Sequence, residues 1–324
     1  MRPRALASPA SLKGVLDASA AAAALAAGLR IAGVAAEEVP VADGGEGTAS
    51  VLANALGGEW REATVADALG RPVAARFLVT PDGTTVVEAA EAIGMDRLRP
   101  EELDPLHASS RGLGELIVAA LAERPRRVLI GLGGTATVDG GSGLREVVSG
   151  LPAVTDVLCD VRAPLLGERG AARAFGPQKG ASPEVVGELE RRLGGLEELR
   201  PFAELEGAGA AGGLGAALAS LGGRLRPGAD FLLDTIAFDA RLTGVALVVT
   251  GEGTVDRATT EGKAPGAVAA RAVRAGARCA VFGGRVDATV PGAEIYALSG
   301  RADRARVDLV ELGERLGREL LAAR

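Results

Sequence analysis

Residues 127–141 read RVLIGLGGTATVDGG. After its first residue the run 127–132 is apolar and rich in branched side chains, which predicts a buried strand. Gly133 and Gly134 follow at once, and Asp139, Gly140 and Gly141 close the stretch. A buried strand that runs into a glycine-rich loop bearing a carboxylate is the strand-to-helix step of an open parallel sheet. In such sheets ligands bind beyond the carboxyl ends of the strands.

The same step recurs along the chain. A strand predicted over 36–41 runs into Asp43-Gly44-Gly45-Glu46-Gly47 and then a helix over 47–56. A strand over 157–161 carries Cys159-Asp160-Val161. A strand over 246–250 leads into Gly251-Glu252-Gly253-Thr254-Val255-Asp256 and Gly262-Lys263-Ala264-Pro265, then a helix over 264–275. Two more glycine-rich segments are Phe175-Gly176-Pro177-Gln178-Lys179-Gly180 and Gly207-Ala208-Gly209-Ala210-Ala211-Gly212-Gly213. Helices are expected over 114–122, 182–196, 213–221 and 308–323, and a strand over 279–282. Strand–helix alternation of this kind indicates an α/β fold with a parallel sheet. The Pro81-Asp82-Gly83 turn between runs 73–79 and 84–88 predicts a hairpin. A hairpin interrupts a purely parallel pattern, so a second domain with a mixed sheet is expected, inserted into the first. The expected division is 1–70 plus 245–324 for one domain and 71–244 for the other.

Composition agrees with two domains. The chain has 324 residues, more than one ordinary domain. Hydrophobic residues are 48% but aromatics only 2%, so Ala, Val and Leu must fill the core. The net charge of −6, without a basic block and with few aromatics for base stacking, argues against a nucleic-acid partner. Cys159 and Cys279 lack metal-ligand spacing, and two cysteines make no disulfide framework, which fits the cytoplasm. His107 is the single histidine, which excludes mechanisms needing two and disfavours a Ser-His-Asp hydrolase. The Ala-rich stretch 16–29 contains Asp17 and Ser19 and is too short and polar to span a membrane. No strong apolar segment of the signal-peptide kind follows Met1, so export is not expected.

The chemistry suggested is phosphoryl transfer. Glycines let backbone N–H groups approach a phosphate, and a following helix N-terminus adds partial positive charge. Carboxylates supply hard oxygen ligands for Mg²⁺ or a base for a hydroxyl, and lysines neutralise the transferring group. Asp43 and Glu46 are candidates for metal or substrate contact, as are Glu252 and Asp256. Lys13, Lys179 and Lys263 are candidate phosphate or substrate contacts. Asp139 and Asp160 are candidate bases or metal ligands. Each has a plainer role available: a cap or turn for the carboxylates, a solvated surface for the lysines. No Walker A pattern and no G-x-G-x-x-G fingerprint occurs.

Taken in order, the segments ADGGEGT, GGTAT-x-DGG, CDV, FGPQKGA, GAGAAGG, TGEG-x-x-D and GKAP are similar to those of the type I glycerate kinases. The resemblance runs from about Leu12 to about Phe282. It implies two α/β domains, one flavodoxin-like and one inserted, with the active site in the cleft between them. It also implies transfer of the γ-phosphate of ATP to D-glycerate, mostly at the 2-hydroxyl, with Mg²⁺, and it allows a homodimer. Carried onto this sequence, the expected catalytic residues are Asp139, Asp160 and Lys13, and the expected metal ligands are Asp139 and Asp256. Substrate or phosphate contacts are expected from Asp43, Gly44, Gly45, Gly133, Gly134 and Lys179, and from Gly212, Gly213, Glu252 and Lys263. The chain departs from the family pattern at Ala10, where an aspartate is usual, and at Val138 and Ala163, where asparagines are usual. Arg111 stands where an aromatic is usual, and the stretch 143–157 is short by a few dozen residues. These departures are compatible with an active enzyme and with a relative that binds ligand without turning it over. An NAD(P)-binding oxidoreductase is a further reading, with Asp160, roughly 20 positions beyond Gly140, as the ribose ligand.

Overall fold

The computed structural model describes residues 2–152 and 154–323. Among these the strands are β1 (Arg4–Ala7), β2 (Ala35–Glu38), β3 (Glu59–Ala66), β4 (Pro72–Val79), β5 (Thr84–Glu88), β6 (Arg127–Gly131), β7 (Thr155–Cys159), β8 (Arg224–Pro227), β9 (Val245–Val255), β10 (Arg278–Val286) and β11 (Glu294–Ala297). They form a five-stranded and a six-stranded sheet. Contacts divide the chain into two units, Met1–Asp43 with Ala229–Arg324, and Gly44–Gly228. The second is thus inserted into the first, and both are α/β.

The first unit holds the sheet β2-β1-β9-β10-β11, parallel throughout. Numbered within the unit, this is the order 2-1-3-4-5 of flavodoxin-like folds, with the topological switch point between β1 and β9. Asp17 starts the helix Ala18–Ile31 by accepting from Ala20 N at 2.7 Å, a side-chain N-cap. That helix packs on Ala305–Ala322, with Leu25, Leu29, Leu309, Leu312 and Leu316 buried against Ala5, Val249 and Phe282 of the sheet. Small residues permit the approach. A Cβ at Gly28 would overlap Val310 O, and one at Gly313 would overlap Leu25 O.

The second unit holds β3-β4-β5-β6-β7-β8. β3, β4 and β5 are antiparallel, and β5 to β8 are parallel. The expected hairpin is the pair β4–β5: Thr80 N bonds to Thr84 O, and Asp82 Oδ1 accepts from the Thr80 hydroxyl and Thr84 N. β5 and β7 are buried along their whole length, as strands inside a covered parallel sheet are. Phe77, Val87, Ile93, Leu113, Leu116, Ile117 and Ile130 form the main core of the unit. A satellite core gathers Val138, Leu165, Leu189, Leu193 and Leu199.

The sequence placed the divisions at 70/71 and 244/245; contacts place them at 43/44 and 228/229. Two interactions account for the difference. β3 pairs with β4 over its full length, which carries 59–66 into the second unit. Arg271, only 7% exposed, binds Asp230 at 2.9 Å and Asp234 at 2.6 Å, which ties 229–244 to the first. Cys159 and Cys279 are buried and free. His107 is exposed and meets Asp104 Oδ2 at 2.7 Å, a surface pairing. Among the described residues no helix is long and apolar enough to cross a membrane.

Candidate active site

In the first unit, the candidates gather at the carboxyl ends of the strands around the switch point. The backbone after β1 lies along β9: Ser8 N bonds to Val249 O, Ala10 N to Gly251 O, and the Thr250 hydroxyl to Ser8 O. Lys13 follows in a turn closed by Leu12 and Leu16, with its side chain exposed. Glu252 lies in the final part of β9. Its Oε1 accepts from the Thr259 hydroxyl at 2.7 Å and its Oε2 from Lys263 Nζ at 3.2 Å. Burial raises the Glu252 carboxyl above the usual range, and the nearby Asp43 charge adds to this against Thr259 and Lys263. Burial pulls Lys263 down, but Glu252, Asp256 and Asp43 outweigh it and hold the ammonium above the usual lysine range. Asp43, Glu252, Asp256 and Lys263 are therefore one electrostatic group.

Asp256 also performs the plain role available to it. Its Oδ1 accepts from Ala258 N at 2.8 Å, and the Thr259 hydroxyl oxygen accepts from Asp256 N at 3.0 Å. This is a capping box at a helix start. Its Oδ1 lies 3.8 Å from Lys263 Nζ.

In the second unit, three loops meet at the carboxyl ends of β5, β6 and β7. Gly44 to Gly47 leads into the helix Thr48–Leu56. A Cβ at Gly131 would stand 2.6 Å from Gly44 O, one at Gly44 would stand 2.7 Å from Leu158 Cβ, and one at Gly133 would overlap Gly45 Cα. The Gly44–Gly47 loop is thus laid backbone-to-backbone on the loop after β6. Gly212 and Gly213, both with positive φ, are buried against the turn 137–140: a Cβ at Gly212 would overlap Thr137 O, and one at Gly213 would come within 2.9 Å of Gly140 Cα. Of the glycines expected to touch phosphate, Gly44, Gly212 and Gly213 are buried in packing. Gly45, Gly133 and Gly134 remain half-buried.

Asp139 accepts four hydrogen bonds. Its Oδ2 accepts from Ser110 N at 2.8 Å, the Ser110 hydroxyl at 2.7 Å and Gly143 N at 3.2 Å, and its Oδ1 from Gly141 N at 3.0 Å. Three of these donors share Oδ2 and one meets Oδ1, so the carboxylate ties Ser110 to the turn 139–143. Lys179, 2% exposed, donates to Thr135 Oγ1 at 3.2 Å and Thr137 O at 2.8 Å. Burial lowers its pKa to about 7 against the attraction of Asp139. The plainer alternative of a solvated surface lysine does not hold: the Lys179 side chain is buried and ties 177–179 to the loop after β6. Asp160 stands half-buried just beyond β7.

Glu88, which no motif singled out, ends β5 and is 7% exposed. Its Oε1 accepts from Ala49 N at 2.6 Å and its Oε2 from Gly47 N at 3.2 Å. Burial raises its carboxyl to about 7, partly offset by those two donors and reinforced by Glu91 and Glu46. No local signal marks it: it closes the strand Thr84-Thr85-Val86-Val87-Glu88, and its partners lie 41 and 39 residues earlier in the chain.

Among the described residues no group of three or more His, Cys, Asp or Glu side chains could by itself hold a metal ion. Mg²⁺ commonly takes only one or two protein carboxylates and completes its shell with substrate phosphates and water. Asp43, Glu252 and Asp256 carry hard oxygen donors of the kind such an ion takes, and Asp139 already accepts four hydrogen bonds.

The sequence profile of the Glycerate kinase family matches residues 5–151 and 151–303. The chain belongs to the glycerate kinase family. The two matched parts meet at Leu151, inside the stretch read from the sequence as shortened. The chain is 39% identical over 271 residues to glycerate 2-kinase of Escherichia coli K12, covering 71% of each chain. It is 37% identical over 303 residues to glycerate kinase of Bacillus subtilis 168, covering 81% of this chain and 79% of that one. A crystal structure described as a candidate glycerate kinase 2 from Salmonella typhimurium LT2 superimposes with a TM-score of 0.83, at 30% identity, over 100% of this chain and 99% of the other. This glycerate kinase relative is accordingly a member of a family of kinase enzymes. Two of its departures from the family motifs have a packing account. Val138 is 1% exposed in the satellite core, and Arg111 pairs with Glu115 and Glu146 at 3.0 Å each.

Proposed function

We propose that this member of the family transfers the γ-phosphate of ATP to D-glycerate, with 2-phosphoglycerate as product, in the cytoplasm. The observation that carries this reading is the group Asp43–Glu252–Asp256–Lys263 at the switch point of a flavodoxin-like sheet, in a chain with this family membership. Phosphoryl transfer asks a protein for positioning and charge rather than for covalent chemistry. It needs no histidine.

Lys13 and Lys263 are assigned to phosphate or carboxylate charge, and Gly45, Gly133 and Gly134 to backbone donation. Asp43 and Asp256 would hold Mg²⁺ together with the nucleotide phosphates; the ion supplies neutralisation of phosphate charge. Asp160 is assigned as the acceptor of the glycerate hydroxyl proton as that oxygen bonds to the γ-phosphorus and the bond to the β-phosphate oxygen breaks. Asp139 and Lys179 are assigned to holding the loop after β6 in shape, on the strength of their hydrogen bonds.

The test is ADP release from ATP and Mg²⁺ by the purified protein, with and without D-glycerate. Phosphorus NMR of the product separates the 2- from the 3-phosphate. Glycerate-dependent release is expected. The changes at Ala10, Val138 and Ala163 favour one competing reading, a relative that binds without turnover. Ligand binding with no ADP release would establish that reading and overturn this one.

A further inference from the structure

Glu88 takes no part in the chemistry assigned above, yet it is a nearly buried carboxylate aimed at the entry of the Gly44–Gly47 loop into its helix. Gly47 starts that helix in a left-handed conformation, φ 89°, and has no side chain to cap it. The first N–H groups of a helix lack intrahelical partners. Glu88 supplies two of the missing acceptors from β5, a strand 39 residues away from Ala49 in sequence. The other faces of the loop are held by backbone packing on Gly131, Gly133 and Leu158.

We propose that Glu88 is a positioning residue for phosphoryl transfer: by accepting from Gly47 N and Ala49 N it fixes the Gly44–Gly47 loop, so that Gly45 faces the nucleotide phosphates in one geometry. This rests on the ATP-dependent reading given above. A glutamine at this position keeps the shape and one acceptor oxygen but turns an NH₂ group toward the second backbone donor. That mismatch loosens the loop without emptying the site. The charged neighbours of Glu88 are Glu46 on the loop and Glu91 on the helix following β5.

The experiment compares wild type and Glu88→Gln by steady-state kinetics in both substrates and by amide hydrogen exchange. In Glu88→Gln the KM for ATP is expected to rise at least fivefold, with the KM for D-glycerate within twofold. Exchange at the amides of 45–49 is expected to quicken at least tenfold, while β6 is unchanged. A role in stability alone would lower the active fraction and leave both KM values in place, which overturns the proposal. Glu88→Asp keeps the charge but falls short of both donors; it covers the case in which Glu88→Gln does not fold, and should move the KM for ATP in the same direction. If wild type shows no glycerate-dependent turnover, the kinase reading fails and the proposal with it. If wild type turns over and neither variant shifts the KM for ATP, the positioning role alone fails.

Discussion

Asp139 is a motif residue whose carboxylate is held by hydrogen bonds from its own loop and from Ser110. Four donors converge on its carboxylate, and two of them come from Ser110, 29 positions earlier. Asparagine offers one acceptor oxygen and a donor group in place of two oxygens, so at least one backbone N–H must face another donor. Leaving such a group unsatisfied costs about 1–3 kcal/mol. Asp139→Asn is therefore expected to lower the unfolding free energy measured by urea denaturation by about 1–3 kcal/mol and to lower turnover as the loop loosens. A variant with unchanged stability and sharply reduced turnover would instead restore Asp139 to the chemical step. The sequence identified Asp139 and Lys179 as important, since both sit in glycine-rich loops. It could not show that they bond to Ser110, Thr135 and Thr137, because those partners are brought in by the fold. Glu88 was invisible for the same reason: its partners lie about 40 residues upstream.

At the scale of the element, glycine has two opposite meanings. Gly28 lies in the helix Ala18–Ile31, where an added methyl would overlap a main-chain oxygen of the helix Ala305–Ala322. Backbone cannot rotate away as a side chain can, so Gly28→Ala is expected to destabilise by about 2–3 kcal/mol, at the upper end of overpacking costs. Gly187 lies exposed in the helix Pro183–Gly194 with nothing within 4 Å of a Cβ. Gly187→Ala is expected to stabilise by about 0.5–1 kcal/mol, the helix-propensity difference. Denaturant melts of the two variants beside wild type check both signs. Elements with strong periodicity or punctuation were legible: the β4–β5 hairpin from Pro81-Asp82-Gly83, the helix Pro183–Gly194 from Ser182 and its amphipathic pattern. The helix Ala18–Ile31 is not legible in this way. Its alanines on every face leave little contrast for a 3.6-residue period to reveal.

For the whole molecule, two buried groups set a pH dependence with opposite slopes. Glu88 titrates at about 7 when folded, against an ordinary 4.5. Between those values the folded protein holds the extra proton, so stability falls as pH rises from 4.5 toward 7. Lys179 titrates at about 7 when folded, against an ordinary 10.5. Between those values the unfolded chain holds the extra proton, so stability rises as pH climbs from 7 toward 10.5. Each change is on the order of 3–5 kcal/mol at full extent. Together they give a stability minimum near neutral pH. Urea denaturation at pH 5, 7 and 9.5 checks it: Glu88→Gln should flatten the acid side and Lys179→Met the alkaline side. Unchanged slopes in both variants would remove these groups as the source.

By itself the sequence determined the α/β class, the inserted second unit with its mixed sheet, the placement of glycine-rich loops at strand ends and the family to which the chain is similar. These follow from short-range physics: apolar periodicity, turn chemistry at Pro and Gly, and motifs contiguous in the chain. Only the tertiary structure decided the strand order 2-1-3-4-5 of the first unit, the extent of each unit, and which glycines are packed against backbone rather than half-open. It alone decided that Lys179 is buried while Lys13 is exposed, and that Glu88 reaches the start of the helix Thr48–Leu56. Each of these depends on groups far apart in the chain meeting at van der Waals or hydrogen-bond distance, and no local pattern encodes which partners will meet.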